Sequence, residues 1–474
     1  MVMKESRHIF HIHGEISASR FEGENFLTPL DYGDPKLFAG PFRFNHIAWV
    51  LSSQGDFLSC HYKTQKSIMC ADGPLPRPWR HYIAMMAAAC LGCEYLARSE
   101  LEQFLTTGGD SAWLTNPESA IPKKLKCLCV LNRLMAHKPY ALDSSSIGNV
   151  VSEGRWSASE LAHAIVILAT FHSLPSLVYG SGVRIEDDLA LTEEVSRNVF
   201  FDPLVESEPE WDETASLPRC FSFTDTPPCL IQRLLHSSER STSIEEPISA
   251  FEGFGALNSG CASPVAMPVA SSTKVPKLGE DDKHALASIM AAQPKWRSIL
   301  CKSLMTDPEG PLEYKDFVQK SDSILHTSSF SWEDHGTIVL SRQMPEATES
   351  INEEHAHALE FTTNSIGDKC IESTATVREA IVKYVQRMYG VFHDDYRYNK
   401  LNKILPVIHK AYLKKLACYP ERLTKVDYWR MRKFECFSSI DLIHYAHLVS
   451  QTKRIVELTW AMKAFTSFYQ SPDS

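Results

Sequence analysis

Apolar residues recur every three or four positions along much of this chain, which is the period of an amphipathic helix. The clearest stripe runs towards Gly390, and a glycine is typical of a helix stop. Its apolar members are Val377, Ala380, Ile381, Tyr384, Val385, Met388 and Tyr389. Strict alternation of apolar and polar residues, the pattern of a half-buried strand, is scarce. The pattern therefore predicts an all-α protein.

A second helix start is marked by Ser157 and Glu160, whose spacing is that of a capping box. The apolar run LAHAIVILATFHSL follows at once and predicts a buried helix. Its most apolar part, Ala164 to Phe171, is shorter than a membrane span, and nowhere do about eighteen apolar residues follow one another. We therefore predict a soluble protein with no membrane insertion.

The negative charge of the chain is concentrated in residues 184–283. This segment holds 19 acidic residues against 8 basic ones, whereas the whole chain of 474 residues has a net charge of −10. It also holds 9 of the 26 prolines, a composition typical of a partly disordered linker. The sequence thus predicts two helical bundles joined by an acidic insert. The expected parts are an N-terminal extension (1–36), a first helical domain (37–183), the acidic insert (184–327) and a second helical domain (328–474).

Composition and charge exclude several classes of protein. With 44% hydrophobic residues the chain can bury two or three cores, so it is neither wholly disordered nor collagen-like. The negative net charge gives no surplus of cations for phosphates, so we predict no nucleic-acid partner. Thirteen cysteines, an odd number without a repeating pattern, indicate free thiols in a reducing compartment.

The segment LGCEYLARSE contains a candidate reactive thiol, Cys93, at the predicted start of a helix. Tyr95 follows it, Glu100 lies two turns further on, and Cys90 precedes it with CxxC spacing. Backbone amides at a helix start can lower the pKa of a thiol, as a reactive cysteine requires. The alternative is that both cysteines are small residues packed on a buried helix, as free cysteines often are.

Three strings follow one another around and beyond Cys93: GPLPRPWRHYIAMMAAACLGCEYLARSELEQFLTTGGDSAWL, NRLMAHKPY and WSASELAHAIVILATFHSLPSLVYGSG. In these strings the chain resembles the sestrin family. The resemblance resumes after the insert with SWEDHG, TATVREAIVKYVQRMYGVFHDDY and ACYPE, and so covers residues 40–182 and 328–470. It implies that both halves adopt the helical fold of the alkyl hydroperoxidase AhpD and of carboxymuconolactone decarboxylase.

For catalysis, the resemblance implies that Cys93 and Tyr95 match the family's catalytic positions, whereas Glu100 stands where the family has a histidine. A carboxylate cannot hand over a proton as an imidazolium does unless its pKa is raised, and its charge disfavours a neighbouring thiolate. A thiol-dependent alkyl hydroperoxide reductase that uses Cys93 is therefore the alternative function rather than the leading one. No cofactor is implied.

The resemblance also implies a binding site for a free, leucine-like amino acid in the second half. Such a zwitterion needs a guanidinium for its carboxylate, a carboxylate for its ammonium group, hydroxyl groups and an apolar pocket. The matching positions are Thr362, Thr363, Ser365, Thr374, Val377, Arg378, Phe434, Phe437 and Asp441. Asp441 is one methylene shorter than the family glutamate, and Thr363 replaces a tyrosine.

Two of these positions have a simpler interpretation. Arg378 can be a surface residue that flanks the apolar stripe, and Asp441 can be a helix cap after Ser438 and Ser439. Charge and spacing leave both interpretations open.

An acidic pair, Asp394 and Asp395, follows the stripe helix. An exposed acidic turn there needs no function. The resemblance implies instead that the pair contacts the GATOR complex, which controls the TOR kinase at the lysosome. It implies a stress and amino-acid regulator that binds GATOR subunits, restrains TOR signalling and takes part in redox homeostasis. Its expected location is the cytoplasm, with lysosomal association through partners and access to the nucleus.

Histidine-rich pieces raise the question of a metal site. They are HIH near the N-terminus and EEHAHALEF at residues 353–361. Each offers at most two convergent ligands, and no second pair follows at a fixed spacing. We therefore predict no metal site.

Overall fold

The structure, a computed structural model, describes residues 46–52, 57–115, 117–183, 324–360, 365–366, 369–370, 374–435 and 437–470. The predicted N-terminal extension (1–36) and residues 184–323 of the predicted acidic insert lie outside the described residues. The domain boundaries drawn from the sequence therefore stay predictions.

Ten α-helices form the described part of the first half. They are α1 (His46–Ser52), α2 (Phe57–Gln65), α3 (Arg77–Cys90), α4 (Glu94–Thr106), α5 (Ala112–Thr115), α6 (Pro117–Ala120), α7 (Lys123–Lys126), α8 (Leu128–His137), α9 (Ser144–Gly154) and α10 (Ala158–Ser181). The predicted capping box is confirmed, because the Ser157 amide donates to Glu160 Oε2 at 2.9 Å and the Glu160 amide donates to Ser157 Oγ at 3.3 Å. This cap fixes where α10 begins.

The helix α10 is the most apolar element of the described chain. Every residue from Leu161 to Ser181 is buried. Among the described residues it is the one helix whose length and composition would allow it to cross a membrane, and its most apolar stretch lies wholly inside the protein. The core helix of a soluble protein meets the same criteria, so we assign α10 to the core.

The described part of the second half is also helical. Its elements are β1 (Leu325–His326), α11 (Thr337–Ser341), α12 (Pro345–Glu360), β2 (Ser365–Ile366), β3 (Lys369–Cys370), α13 (Ala375–Met388), β4 (Val391–Phe392), α14 (Leu401–Ile404), α15 (Val407–Cys418), α16 (Lys425–Glu435) and α17 (Ser439–Tyr469). The predicted apolar stripe forms α13, and the chain leaves it through Gly390 at φ 82°. The all-α prediction is confirmed, since each described strand has two residues.

The described strands form two small pairs. Strand β1 runs parallel to β4, with Leu325 opposite Val391. Strand β2 pairs with β3 in the antiparallel sense between α12 and α13. Residues 325–326 lie in the segment that the sequence assigned to the insert, yet they pair with the second half.

The two halves share one core, in which α10 of the first half packs along α17 of the second. Both helices are buried over most of their length because each contacts other helices on several sides. They approach most closely at Gly180, where an added Cβ would lie 2.5 Å from Ala446 Cβ. Only a residue without a side chain fits this contact.

A buried polar chain crosses from α10 to α17. His172 Nδ1 lies 2.7 Å from Glu457 Oε2, and His172 Nε2 lies 2.8 Å from Asn132 Oδ1. Burial raises the pKa of Glu457 well above its usual range. Burial, with the charge of Lys453, lowers the pKa of His172 well below its own. The directions of both shifts favour the neutral forms, in which the Glu457 hydroxyl donates to Nδ1 and Nε2–H donates to Asn132.

A second buried cluster joins α2, α12 and α17 around Glu354. Arg454 Nη1 donates to Glu354 Oε2 at 2.6 Å, while His61 Nδ1 and Gln451 Nε2 approach Oε1 at 3.0 and 3.1 Å. Burial alone would raise the pKa of Glu354, but the charge of Arg454 and the contact with His61 hold it well below its usual range. Glu354 is thus an ionised carboxylate in the core, whereas Glu457 is a neutral acid.

Candidate functional site

Cys93 lies in the turn between α3 and α4, as predicted. Gly92, at φ 64°, ends α3, and the Cys93 amide donates to the Ala88 carbonyl at 2.8 Å. Cys93 is the N-cap of α4 and is 1% exposed. The Tyr179 hydroxyl, from α10, donates to the Gly92 carbonyl at 2.7 Å and braces this turn.

Glu100, which replaces the family histidine, forms a pair with a histidine of its own. Its Oε2 lies 2.7 Å from Nδ1 of His81 on α3. Both side chains are largely shielded from solvent, with exposed fractions of 12% and 9%. The carboxylate is therefore already engaged by an imidazole and is not held ready for a substrate.

The CxxC spacing does not produce a disulfide. The seven cysteines whose side chains the structure describes are free, and Cys90 Sγ lies 3.5 Å from His137 Nε2. Tyr95 is 2% exposed. Cys93 and Tyr95 are therefore both buried. The packing and the catalytic interpretations of Cys93 both stay predictions.

Arg378 lies in the first turn of α13 and is 6% exposed, so the surface interpretation of this residue is wrong. Its Nε donates to the Leu359 carbonyl at 2.9 Å, and its Nη1 donates to Thr374 Oγ1. Thr374 is 1% exposed. The guanidinium thus binds the chain on both sides of the segment 361–373.

The charge of Arg378 has no carboxylate partner within ion-pair distance among the described residues. Burial lowers the pKa of Arg378. His444 on α17 is a neighbour of this charge: burial, and then the Arg378 charge, lower the pKa of His444 to about 3. His444 lies three positions after Asp441, which places it on the same side of α17.

Asp441 has the capping role that the sequence offered as the alternative, although as the third residue of the helix rather than as its N-cap. Ser438 is the N-cap, and Asp441 Oδ2 accepts from the Ser438 amide and hydroxyl, each at 2.8 Å. Asp441 is 6% exposed. A buried carboxylate therefore lies at the start of α17, but it is partly committed to the cap.

The structure describes the side chains of only some of the other predicted ligand residues. Phe437 is buried, and its ring lies 5.1 Å from that of His409 and 5.0 Å from that of Tyr445. Val377 is half-buried on α13. Four predicted ligand residues cannot be placed: Thr362 and Thr363 lie outside the described residues, and of Ser365 and Phe434 only the backbone is described. Sequence spacing missed His444 because nothing in the pattern joins it to Arg378.

Asp394 and Asp395 lie on an exposed turn after β4. Asp394 Oδ1 lies 2.6 Å from His326 Nδ1, and Ser328 Oγ donates to Asp394 Oδ2 at 2.7 Å. Hydrogen bonds from His326 and Ser328 lower the pKa of Asp394 below its usual range. The turn is held by the residues around β1 and presents two carboxylates to solvent.

Comparison with known proteins decides the family. The family described as PA26 p53-induced protein (sestrin) matches residues 31–469 of this chain. The chain belongs to the sestrin family. Sestrin-3 of Mus musculus is 30% identical over 443 residues, which cover 90% of this chain and 85% of that protein. Sestrin-2 of Homo sapiens is 29% identical over 439 residues, with 90% and 84% covered, and Sestrin-1 of Xenopus laevis is 28% identical over 487 residues, with 95% and 91% covered.

The match confirms the family that the sequence motifs indicated, and it spans both halves of this sestrin. The departures at Glu100 and Asp441 are therefore features of a sestrin chain. The leucine site, the GATOR surface and the thiol chemistry stay predictions.

Proposed function

We propose that this sestrin binds a leucine-like amino acid and the GATOR complex, and so restrains TOR kinase signalling. The observation that supports it is the buried guanidinium of Arg378, which has no carboxylate partner among the described residues. Buried charges in proteins are normally paired, because an unpaired one loses its hydration without compensation. The carboxylate of a free amino acid is a group that a guanidinium binds through paired, charge-assisted hydrogen bonds.

The remaining contacts follow from the neighbours of Arg378. The ligand carboxylate would bind the guanidinium beside the Thr374 hydroxyl, and the ammonium group would point to Asp441 on α17. Asp441 must then divide its oxygens between the ammonium group and the Ser438 cap. We expect this shared carboxylate to weaken affinity relative to a site with a dedicated acid.

The proposed regulation follows from the two contacts of Arg378 with the chain. The guanidinium binds Leu359 before the segment 361–373 and Thr374 after it. A carboxylate that competes for these donors alters both contacts together, so ligand binding favours one arrangement of the segment. A ligand shifts this balance only by its difference in affinity for the two arrangements.

Calorimetry with leucine tests the ligand. We expect the wild-type chain to bind about one leucine, and Arg378→Ala to bind it 10- to 100-fold more weakly, since hydrogen bonds to charged groups contribute about 1.5–3 kcal/mol. Arg342→Ala, which removes an exposed arginine on the same half, is the control and should bind as wild type does.

Thermal unfolding with each of the twenty amino acids checks the same proposal without calorimetry. A wild-type chain that takes up no heat and gains no thermal stability with any of them would contradict the ligand site. GATOR capture is measured separately. If the chain captures the complex but binds no amino acid, the partner proposal stands and only the amino-acid-sensing proposal is contradicted.

The double variant Asp394→Ala with Asp395→Ala tests the partner surface. We expect it to fold as wild type does, because both residues are exposed, and exposed substitutions usually change the free energy of unfolding by less than about 0.5 kcal/mol. Capture of GATOR subunits should fall at least about tenfold, since charged groups at the centre of an interface carry much of its affinity.

The matched control for this variant removes two other exposed acids, Glu346 and Glu349 on α12. It changes the net charge by the same amount and should leave capture unchanged. Equal loss in both variants would indicate a general charge effect, and full capture by the Asp394→Ala, Asp395→Ala chain would move the interface elsewhere.

A further inference from the structure

The contact between α2 and α12 brings three metal-ligand side chains together across the two halves. The Sγ of Cys60 on α2, a carboxylate oxygen of Glu353 and a ring nitrogen of His357 on α12 lie within 4.8 Å of one another. Glu353 and His357 are four positions apart, so they project from the same side of α12. Cys60 is buried, whereas Glu353 and His357 lie nearer the surface.

These three groups form a donor set that selects among metal ions. A thiolate disfavours the hard ions Mg²⁺ and Ca²⁺, which take oxygen ligands, and the combination of sulfur, nitrogen and carboxylate oxygen suits Zn²⁺. Bonds of roughly 2.0–2.3 Å to a tetrahedral zinc place neighbouring ligand atoms about 3.5 Å apart. The present separations therefore need only small side-chain rotations to close around an ion.

Glu353 already has two partners, the thiol of Cys60 and the ammonium group of Lys63. The Cys60 thiol is hydrogen-bonded to Glu353, and burial together with the Glu353 charge raises the pKa of the thiol to about 11. Lys63 Nζ donates to Glu353 Oε1 at 2.8 Å, and its side chain is 56% exposed. A zinc ion that binds here releases the thiol proton to solvent. It also replaces Lys63 as the positively charged partner of Glu353.

We propose that Cys60, Glu353 and His357 form a Zn²⁺ site that joins the first half of the chain to the second. Three protein ligands leave a fourth position for water or for one more donor. The site is anchored by the neighbouring contact of Thr64 Oγ1 with the Ser350 carbonyl at 3.1 Å, which holds α2 against α12. The sequence analysis predicted no metal site, because Cys60 lies far along the chain from the histidine-rich piece that supplies the other two ligands.

Cobalt binding to the full chain tests the site. The chain is stripped of metal with a chelator and titrated with Co²⁺, whose bond to a thiolate gives a charge-transfer band in the near ultraviolet. We expect this band in the wild-type chain and its bleaching by one equivalent of Zn²⁺. Zn²⁺ should also raise the thermal unfolding temperature, because an ion that binds only the folded chain stabilises it.

Variants assign the band to these residues. Cys60→Ser should abolish it, and His357→Ala, a change nearer the surface that spares the core, should weaken Co²⁺ binding and cancel the Zn²⁺-dependent stabilisation. Cys127→Ser, which removes a cysteine outside the cluster, should behave as wild type does. A band that persists in both Cys60→Ser and His357→Ala, or a wild-type chain that shows no band, would overturn the proposal.

Discussion

Replacing Glu354 with glutamine is expected to destabilise the protein by about 3–5 kcal/mol, because it removes one partner from a buried ion pair and leaves the other charge in place. The amide keeps the volume of the side chain but loses the charge that faces Arg454. Arg454 is 1% exposed and has no route to solvent. Urea unfolding at pH 7, followed by circular dichroism, measures the loss.

The matched control is Glu457→Gln, at the other buried glutamate. Because Glu457 is held in its neutral form, the amide group replaces the hydroxyl as the donor to His172 Nδ1. We expect a change within about 1 kcal/mol, since the hydrogen bond is kept and no charge is orphaned. Equal destabilisation by the two substitutions would contradict the opposite protonation states.

The two glutamates are expected to change the free energy of unfolding in opposite directions as the pH changes. The pKa of Glu354 is lower in the folded chain than its unfolded value of about 4.3, so its contribution is complete above that pH and is lost as the pH falls. The pKa of Glu457 is raised, so its contribution is complete below about 4.3 and is lost as the pH rises through the folded value. The Glu354→Gln chain should therefore lose less stability than wild type between neutral and acidic pH.

The substitution Gly180→Val is expected to destabilise the protein by about 3 kcal/mol, the upper part of the usual range for overpacking. A Cβ at this position would lie 2.5 Å from Ala446 Cβ and 2.8 Å from Leu416 Cδ1. The Ala446 contact cannot be relieved by rotating a side chain, so α10 and α17 must move apart. Thermal unfolding of wild type and variant measures the effect.

Two further variants make the Gly180 prediction specific. Gly180→Ala should be destabilised less, and adding Ala446→Gly should restore part of the loss by removing the closest atom. Gly148→Ala, on α9, is the control: its Cβ would meet only the Phe468 ring, at 3.1 Å, and alanine favours a helix by up to about 1 kcal/mol. An unchanged unfolding temperature for Gly180→Val would mean that the helices are not so closely packed.

Local features could be predicted from the sequence because their causes are local. The box of Ser157 and Glu160, the stripe on α13 and the helix start at Cys93 depend on residues a few positions apart, and all three are found in the structure. The family could be recognised for the same reason, because each motif, such as SWEDHG, is a run of consecutive residues.

Features that depend on distant pairs could not be predicted. The burial of Arg378 requires α17 to lie against α13, and the pairing of His81 with Glu100 requires α3 to lie beside α4. The protonation of Glu457 depends on how completely α10 covers it, which no pattern along α17 reveals. In each case the deciding neighbour comes from another helix, so spacing within one segment carries no information about it.

The shared core of α10 and α17 has a consequence for fragments of this protein. A chain cut after the first half would expose one side of a 24-residue helix that has the length and apolar composition of a bilayer span. Such a fragment should aggregate, recruit chaperones or partition into detergent and lipid. Membrane association of a truncated product would then report the missing partner helix rather than a native affinity for membranes.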